Sequence, residues 1–208
     1  MRPIVLIGGG GHCKAVMEVA KSQGLEILGV LDHPEEKGKS VLYATVIGED
    51  ADIPSFARKA DFVVTVGFIK NPATRIRLYE SIKKAKGTLA TIVASTAYVS
   101  QYASLGEGTV VMHHALVNAD ARVGVNAIIN NFANIEHDTE IGDHTHVSTG
   151  AIVNGGCSIG RRCFIGSQAV IANGINVCDD TIIGAGSVVV KDIIQPGTYA
   201  GNPAKRIK

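Results

Sequence analysis

The sequence predicts two architectures in one chain, a small Rossmann-like α/β unit over residues 1–90 and an all-β parallel helix of hexapeptide repeats over 91–208. Three observations carry this reading. From Val93 to Val189 every sixth residue is aliphatic, through seventeen hexads without a slip. Four places further on in each hexad stands a small residue (Ala97, Ala103, Thr109, Ala115 and onward), a column broken only by Ile175 and Ile193. Ahead of the repeat, an apolar run, four glycines, a helical stretch and a second apolar run follow one another as in a βαβ unit.

A fixed six-residue period marks a stacked solenoid. One β-branched residue per hexad points into a narrow prism, where its stiff side chain suits a strand. The small residue turns the corner. Three hexads make one triangular coil, so residues eighteen apart stack at about 4.8 Å and the array of about five coils stands on the order of 25 Å tall. The glycines directly after the aliphatic residue (Gly106, Gly124, Gly142, Gly160, Gly166, Gly184) are expected to supply turn chemistry. The tail from Pro196 to Lys205 leaves the repeat and is expected to cap its open end.

In the first ninety residues, Ile4–Ile7 reads as a buried strand, His12 to Gln23 as a helix ended by Gly24, and Ile27–Leu31 as a second strand closing on Asp32-His33-Pro34. Phe62–Val66 reads as a third strand followed by Gly67, and Asn71–Lys86 as a helix stopped by Gly87. The loop Gly8–Gly11 would let a phosphate approach backbone at a helix N-terminus. Asp32 is placed to accept from a ribose hydroxyl. The last glycine of a dinucleotide fingerprint falls on Cys13, and ninety residues supply only one lobe of such a fold, so a mononucleotide or nucleotide-sugar is favoured over NAD. A glycine-rich tight turn without a ligand is the alternative.

A formal net charge of +1 in 208 residues argues against a nucleic-acid footprint. No apolar run approaches the roughly twenty residues of a membrane span, and the N-terminus carries no signal pattern. Cys13, Cys157, Cys163 and Cys178 show no C-x-x-C spacing, and two of them replace Ala in the small-residue column. Buried, reduced thiols and a cytoplasmic location are expected.

Three histidines cluster in the stretch from Ile135 to His146. His137 is third in its hexad and His146 sixth, so neither points inward. An exposed imidazole followed by Asp138 fits a general base with an orienting carboxylate, with Glu136, Glu140 and Asp143 as alternative orienters. Polar filler on a solvent-facing wall is the other reading. The two histidines are nine residues apart, half a coil, so within one subunit they should not meet. If both serve one site, it lies between subunits, and a three-sided prism then suggests a homotrimer. His113, His114, His137, His144 and His146 do not converge on any stacking register, so no zinc site is expected.

Taken together, the GGGGH start, the uninterrupted hexads, Ile-Glu-His-Asp with a second His nine residues on, and the closing Gly-Asn-Pro-Ala-Lys resemble the NeuD-like hexapeptide acyltransferases. This sialic acid O-acetyltransferase group includes bacterial N-acetyltransferases of nucleotide-linked 4-amino-sugars, of the bacillosamine and perosamine type. The resemblance implies a left-handed β-helix, a homotrimer, and acetyl-CoA as co-substrate in the groove between subunits. It further implies His137 as base and Asp138 as its carboxylate, with His146 near the thioester and backbone of Gly155, Ser167 and Ala185 along the coenzyme. Gly10, Gly11, His12, Asp32, His33, Gly67 and Asn130 would meet the nucleotide-sugar. Relatives often carry a second acidic residue where His33 stands, which leaves the base and sugar open. The function so implied is N-acetylation of a nucleotide-linked amino-sugar for surface glycan synthesis. The alternatives are O-acetylation of sialic acid or a related sugar, and a non-catalytic nucleotide-sugar-binding trimeric scaffold.

Overall fold

The computed structural model describes residues 2–208. Strands β1 (Ile4–Ile7), β2 (Ile27–Leu31), β3 (Ser40–Val41), β4 (Ala44–Gly48) and β5 (Asp61–Val64) form one sheet in the order β3-β4-β2-β1-β5. All neighbours are parallel except the β3–β4 hairpin. The interior strand β1 reads IVLI and is wholly buried, because helices cover both faces of a parallel sheet. Helix α1 (Gly11–Ser22) packs Cys13, Val16 and Met17 on Ile4 and Leu6. Short α2 (Ile53–Phe56) and α3 (Ala73–Lys84) pack Ile53, Leu78 and Ile82 on Val5 and Ile7.

Element ends differ slightly from the sequence pattern. The strand expected to reach Val66 stops at Val64, since Thr65 turns its hydroxyl onto the carbonyls of Ile7 and Gly8. α3 starts at Ala73 after Pro72, and Lys86, not Gly87, takes the left-handed conformation beyond its end. Gly87 is required for space instead: a Cβ there would stand 2.8 Å from Phe62.

From Ile92 on, two-residue strands stack into three walls with a register of eighteen, Leu116 on Asn134, Arg122 on Glu140 and Ile128 on His146. The inward aliphatics form one continuous core from Val111 to Ile193, closed below by Tyr199 and Ala204 of the tail. That tail adds strand Gly197–Ala200 in parallel to Thr181–Ile183 and strand Lys205–Arg206 antiparallel to it. Among the described residues no helix is long and apolar enough to cross a membrane.

The role expected for the glycines after each aliphatic residue is corrected. The left-handed turn residue lies two places further on, at His114, Asp120, Asn126, Phe132, Asp138 and His144, with φ between 52° and 60°. Gly106, Gly142, Gly160 and Gly166 serve close stacking instead. A Cβ on any of them would stand 2.5–2.6 Å from backbone of the next coil.

The three walls differ in what they face. The docking wall, with outward Ile92, Val110, Ile128 and His146, is buried under the α/β unit; α1 covers Ile92, Ala94, Val110 and Met112. The polar wall presents Ser104, Arg122, Glu140, Ser158 and Asn176. The third wall presents Tyr98, Leu116, Asn134, Ile152, Val170 and Val188, and among the described residues no other element packs over it.

Candidate active site

The expected site residues fall into separate groups within one chain. The first lies where the α/β unit meets the docking wall. Gly10, Gly11, His12, Gly67, Asn130 and His146 line a cleft of about 510 Å³ together with Phe68 and Ile69, a size usual for a small-molecule site. The loop geometry explains the openness. A Cβ on Gly8 would collide with Val66 and one on Gly9 with the Asp32 carboxylate, whereas Gly10 and Gly11 have nothing within 4 Å of that position. Gly10 caps α1 without any side-chain hydrogen bond, leaving the helix start accessible.

Asp32 and His33 line an adjoining pocket of about 130 Å³ with Gly8, Pro34 and Arg77. Asp32 already accepts the Gly9 amide at 2.9 Å on one oxygen and the His33 amide at 2.9 Å on the other. The carboxylate is therefore fixed by the loop it serves.

His146 is buried, and its hydrogen bonds determine its tautomer. A carbonyl can only accept, so Nδ1 carries the proton given to Phe68 O at 2.9 Å. Asn130 Oδ1 accepts the Asn131 amide, which turns Asn130 Nδ2 toward His146 Nε2 at 3.2 Å. Burial pushes the His146 pKa down to about 4, with the Arg75 charge adding to the shift and the Phe68 carbonyl opposing it. Burial likewise takes His12 to about 3, helped by Arg75 and His146. Both rings are neutral at pH 7, and Phe68 and Phe164 meet His146 edge-on.

The second group sits at the corner between the uncovered wall and the polar wall. His137 is 60% exposed in its side chain, and Nδ1 donates to Asp138 Oδ2 at 2.7 Å. Asp138 occupies the left-handed turn position of its hexad, which sets its carboxylate beside the preceding ring. The hydrogen bond to Asp138 raises the His137 pKa. It also leaves Nε2 as the free lone pair.

The alternative orienters are otherwise engaged. Glu136 accepts from Asn118 and Asn134, Glu140 from Arg122, and Asp143 from the Val125 amide.

Gly155 stacks one coil from His137, and a Cβ there would stand 2.7 Å from Cε1 and Nε2 of the ring. At four other corners, Ala119, Val125, Asn131 and Arg161, the amide at this turn position is capped by a neighbouring Asx side chain. Asn154 instead donates to Ile171 O. Among the described residues the Gly155 amide has no acceptor, so a hydrogen-bond donor stands free beside the basic nitrogen.

Ser167 and Ala185 form a third group. They stack one coil apart at the edge where the docking wall turns into the uncovered wall, and Ser167 Oγ meets Ser148 Oγ at 3.0 Å. Among the described residues no three His, Cys, Asp or Glu side chains are grouped to hold a metal. The sequence pattern did not single out Phe68, Phe164, Thr65 or Arg75. Each touches the cleft residues through tertiary packing that a local pattern does not encode.

Comparisons with known proteins agree with this architecture. Residues 3–82 match the PglD N-terminal domain and residues 156–191 the hexapeptide repeat of succinyl-transferase. Perosamine N-acetyltransferase from Caulobacter crescentus, solved as a histidine-to-asparagine variant with CoA and GDP-perosamine, is 31% identical at a TM-score of 0.92, over 99% of this chain and 97% of that one. The acetyltransferase domain of PglB from Neisseria gonorrhoeae FA1090 is 31% identical at 0.91, over all of both chains. In complex with acetyl coenzyme A, it is 32% identical over 99% of both. WeeI from Acinetobacter baumannii AYE, 19% identical at 0.73 over the whole of both chains, shares the fold. No significant match to a curated protein was found.

Fold and repeat define a hexapeptide-type acyltransferase, with the left-handed β-helix of that class. The chain belongs to the NeuD-like family of nucleotide 4-amino-sugar N-acetyltransferases.

Proposed function

We propose that this protein transfers an acetyl group from acetyl-CoA to the amine of a nucleotide-linked amino-sugar used in surface glycan synthesis. The observation that carries the reading is the His137–Asp138 pair, with its free Nε2 beside the unpaired Gly155 amide. The coenzyme supplies an activated acyl thioester. His137 Nε2 takes the proton from the attacking amine as the N–C bond forms, while Asp138 holds the ring and stabilises the resulting imidazolium. That proton passes to the CoA thiolate as the C–S bond breaks, regenerating the neutral base. The Gly155 N–H is placed to meet the charge developing on the acyl oxygen. Holding acceptor and thioester together supplies much of the remaining rate.

In this reading residues 1–90 hold the acceptor and residues 91–208 carry out transfer. Gly10, Gly11, His12, Gly67 and Asn130 take the sugar diphosphate, and Asp32 and His33 the nucleoside. The coenzyme follows the backbone at Gly155, Ser167 and Ala185, with His146 near the thioester. The cleft fits this division: an open helix N-terminus for phosphate, and an aromatic flank at Phe68 and Phe164 for an apolar arm.

A homotrimer completes the site. His137 and His146 lie on different sides of one prism, and the uncovered wall offers Leu116, Ile152, Val170 and Val188 to a neighbour. Four free cysteines suit the reducing cytoplasm.

The test is thiol release from acetyl-CoA against a panel of UDP-, GDP- and dTDP-linked amino-sugars. Release that depends on a free sugar amine supports the reading. Release with hydroxyl acceptors alone would replace it with O-acetylation, and no release with any sugar would favour a binding scaffold.

A further inference from the structure

Among the described residues Arg75 is the one arginine or lysine that is wholly buried, and no carboxylate pairs with it. Its guanidinium instead donates to three backbone carbonyls. Nη1 reaches Val64 O at 2.6 Å and Val66 O at 3.0 Å, and Nε reaches Asn126 O at 3.0 Å. The first closes β5, and the second belongs to the strap that leaves it. The third belongs to a left-handed turn of the β-helix whose side chain is itself fully buried against His144.

The strap is the connection between the two halves of the cleft. Thr65 ties it to the glycine loop through Ile7 O and Gly8 O. Three residues later, Phe68 O receives the His146 proton. Gly67 between them lies against His12, 3.5 Å from where its Cβ would be.

A strap serving only to join two domains would be cheaper with apolar side chains, because a guanidinium loses several kcal/mol of hydration on burial. Here Nη2 remains without a partner, so the desolvation is not fully compensated. That arrangement calls for a role beyond adhesion.

We propose that Arg75 is the positioning residue of the cleft: by clamping Val64, Val66 and Asn126 it holds the strap that orients His146 and His12 against the β-helix. This rests on the transfer reading above. Arg75 touches neither reacting group and acts through the Phe68 carbonyl. The groups facing His146 are His12, Phe68, Phe164 and Asn130, so no nearby carboxylate competes for its proton.

The experiment compares Arg75→Lys and Arg75→Met with wild type, using ¹³C,¹⁵N-histidine-labelled protein and the thiol-release assay. In wild type, His146 should remain the Nδ1–H tautomer down to about pH 5. In Arg75→Met it should populate both tautomers and titrate at higher pH. kcat should fall at least tenfold, with KM for acetyl-CoA changed less than threefold. Arg75→Lys, which keeps the charge but loses the fork, should recover the titration and not the tautomer. If Arg75→Met does not fold, the lysine variant alone decides, because only a lost tautomer preference supports positioning. An unchanged His146 tautomer in a folded variant, or kcat within twofold of wild type, overturns the proposal. The imidazole spectra report on Arg75 even if no sugar is turned over, so failure of the proposal is distinguishable from failure of the transfer reading.

Discussion

Two histidines nine residues apart in one repeat have opposite environments. His137 stands at an open corner, bonded to a carboxylate, with its pKa raised. His146 is covered by the docked α/β unit, bonded to a carbonyl, with its pKa lowered to about 4. Both rings donate from Nδ1, yet only His137 has a carboxylate to stabilise the cation formed on taking a proton. The comparison teaches that burial and hydrogen-bond partner, and not residue type or tautomer, separate the proposed base from the residue that shapes the cleft.

The largest expected effect comes from removing the proposed base. His137→Ala should lower kcat by about a thousandfold while oligomeric size and melting temperature stay near wild type, because the ring is exposed. A loss below tenfold would assign the proton transfer elsewhere.

The two kinds of glycine provide the next contrast. Gly142→Ala forces a Cβ to 2.6 Å from the next coil and should destabilise the fold by about 3 kcal/mol, read as a lower melting temperature. Gly10→Ala meets no atom within 4 Å and should leave stability unchanged while raising KM for the nucleotide-sugar roughly tenfold. Equal effects on stability would break the distinction.

A smaller effect concerns pH. The rate should fall in acid as His137 gains its proton. Asp138 raises that pKa, so Asp138→Asn should shift the acid limb of kcat/KM to lower pH and reduce kcat about tenfold. His146 should contribute no inflection above pH 5. A limb that moves upward would contradict the assignment of Asp138.

Most of the fold was legible in the sequence because the repeat is local: each hexad records which side chain points in, and the register of eighteen follows. The βαβ start was equally plain. The hairpin at Ser40–Gly48 carried no such signal, since a two-residue strand, a turn at Leu42 and one five-residue strand leave too little periodicity. In the site, His137 and Asp138 could be read because they are adjacent in sequence and in space. Arg75 could not. In sequence it is one more basic residue on a helix, and only the docking of α3 on Asn126 makes it a buried clamp. The glycines after each aliphatic residue were placed rightly and explained wrongly, because their reason lies eighteen residues away.

The central claim is that His137 of one subunit and His146 of another serve the same site. Subunit mixing tests it: His137→Ala and His146→Asn, each inactive alone, are co-refolded in equal amounts and assayed for thiol release. If sites form between subunits, one pairing in four joins two intact residues, so activity should return to about a quarter of wild type. If each site lies within one subunit, every site carries a defect, and no recovery would contradict the account.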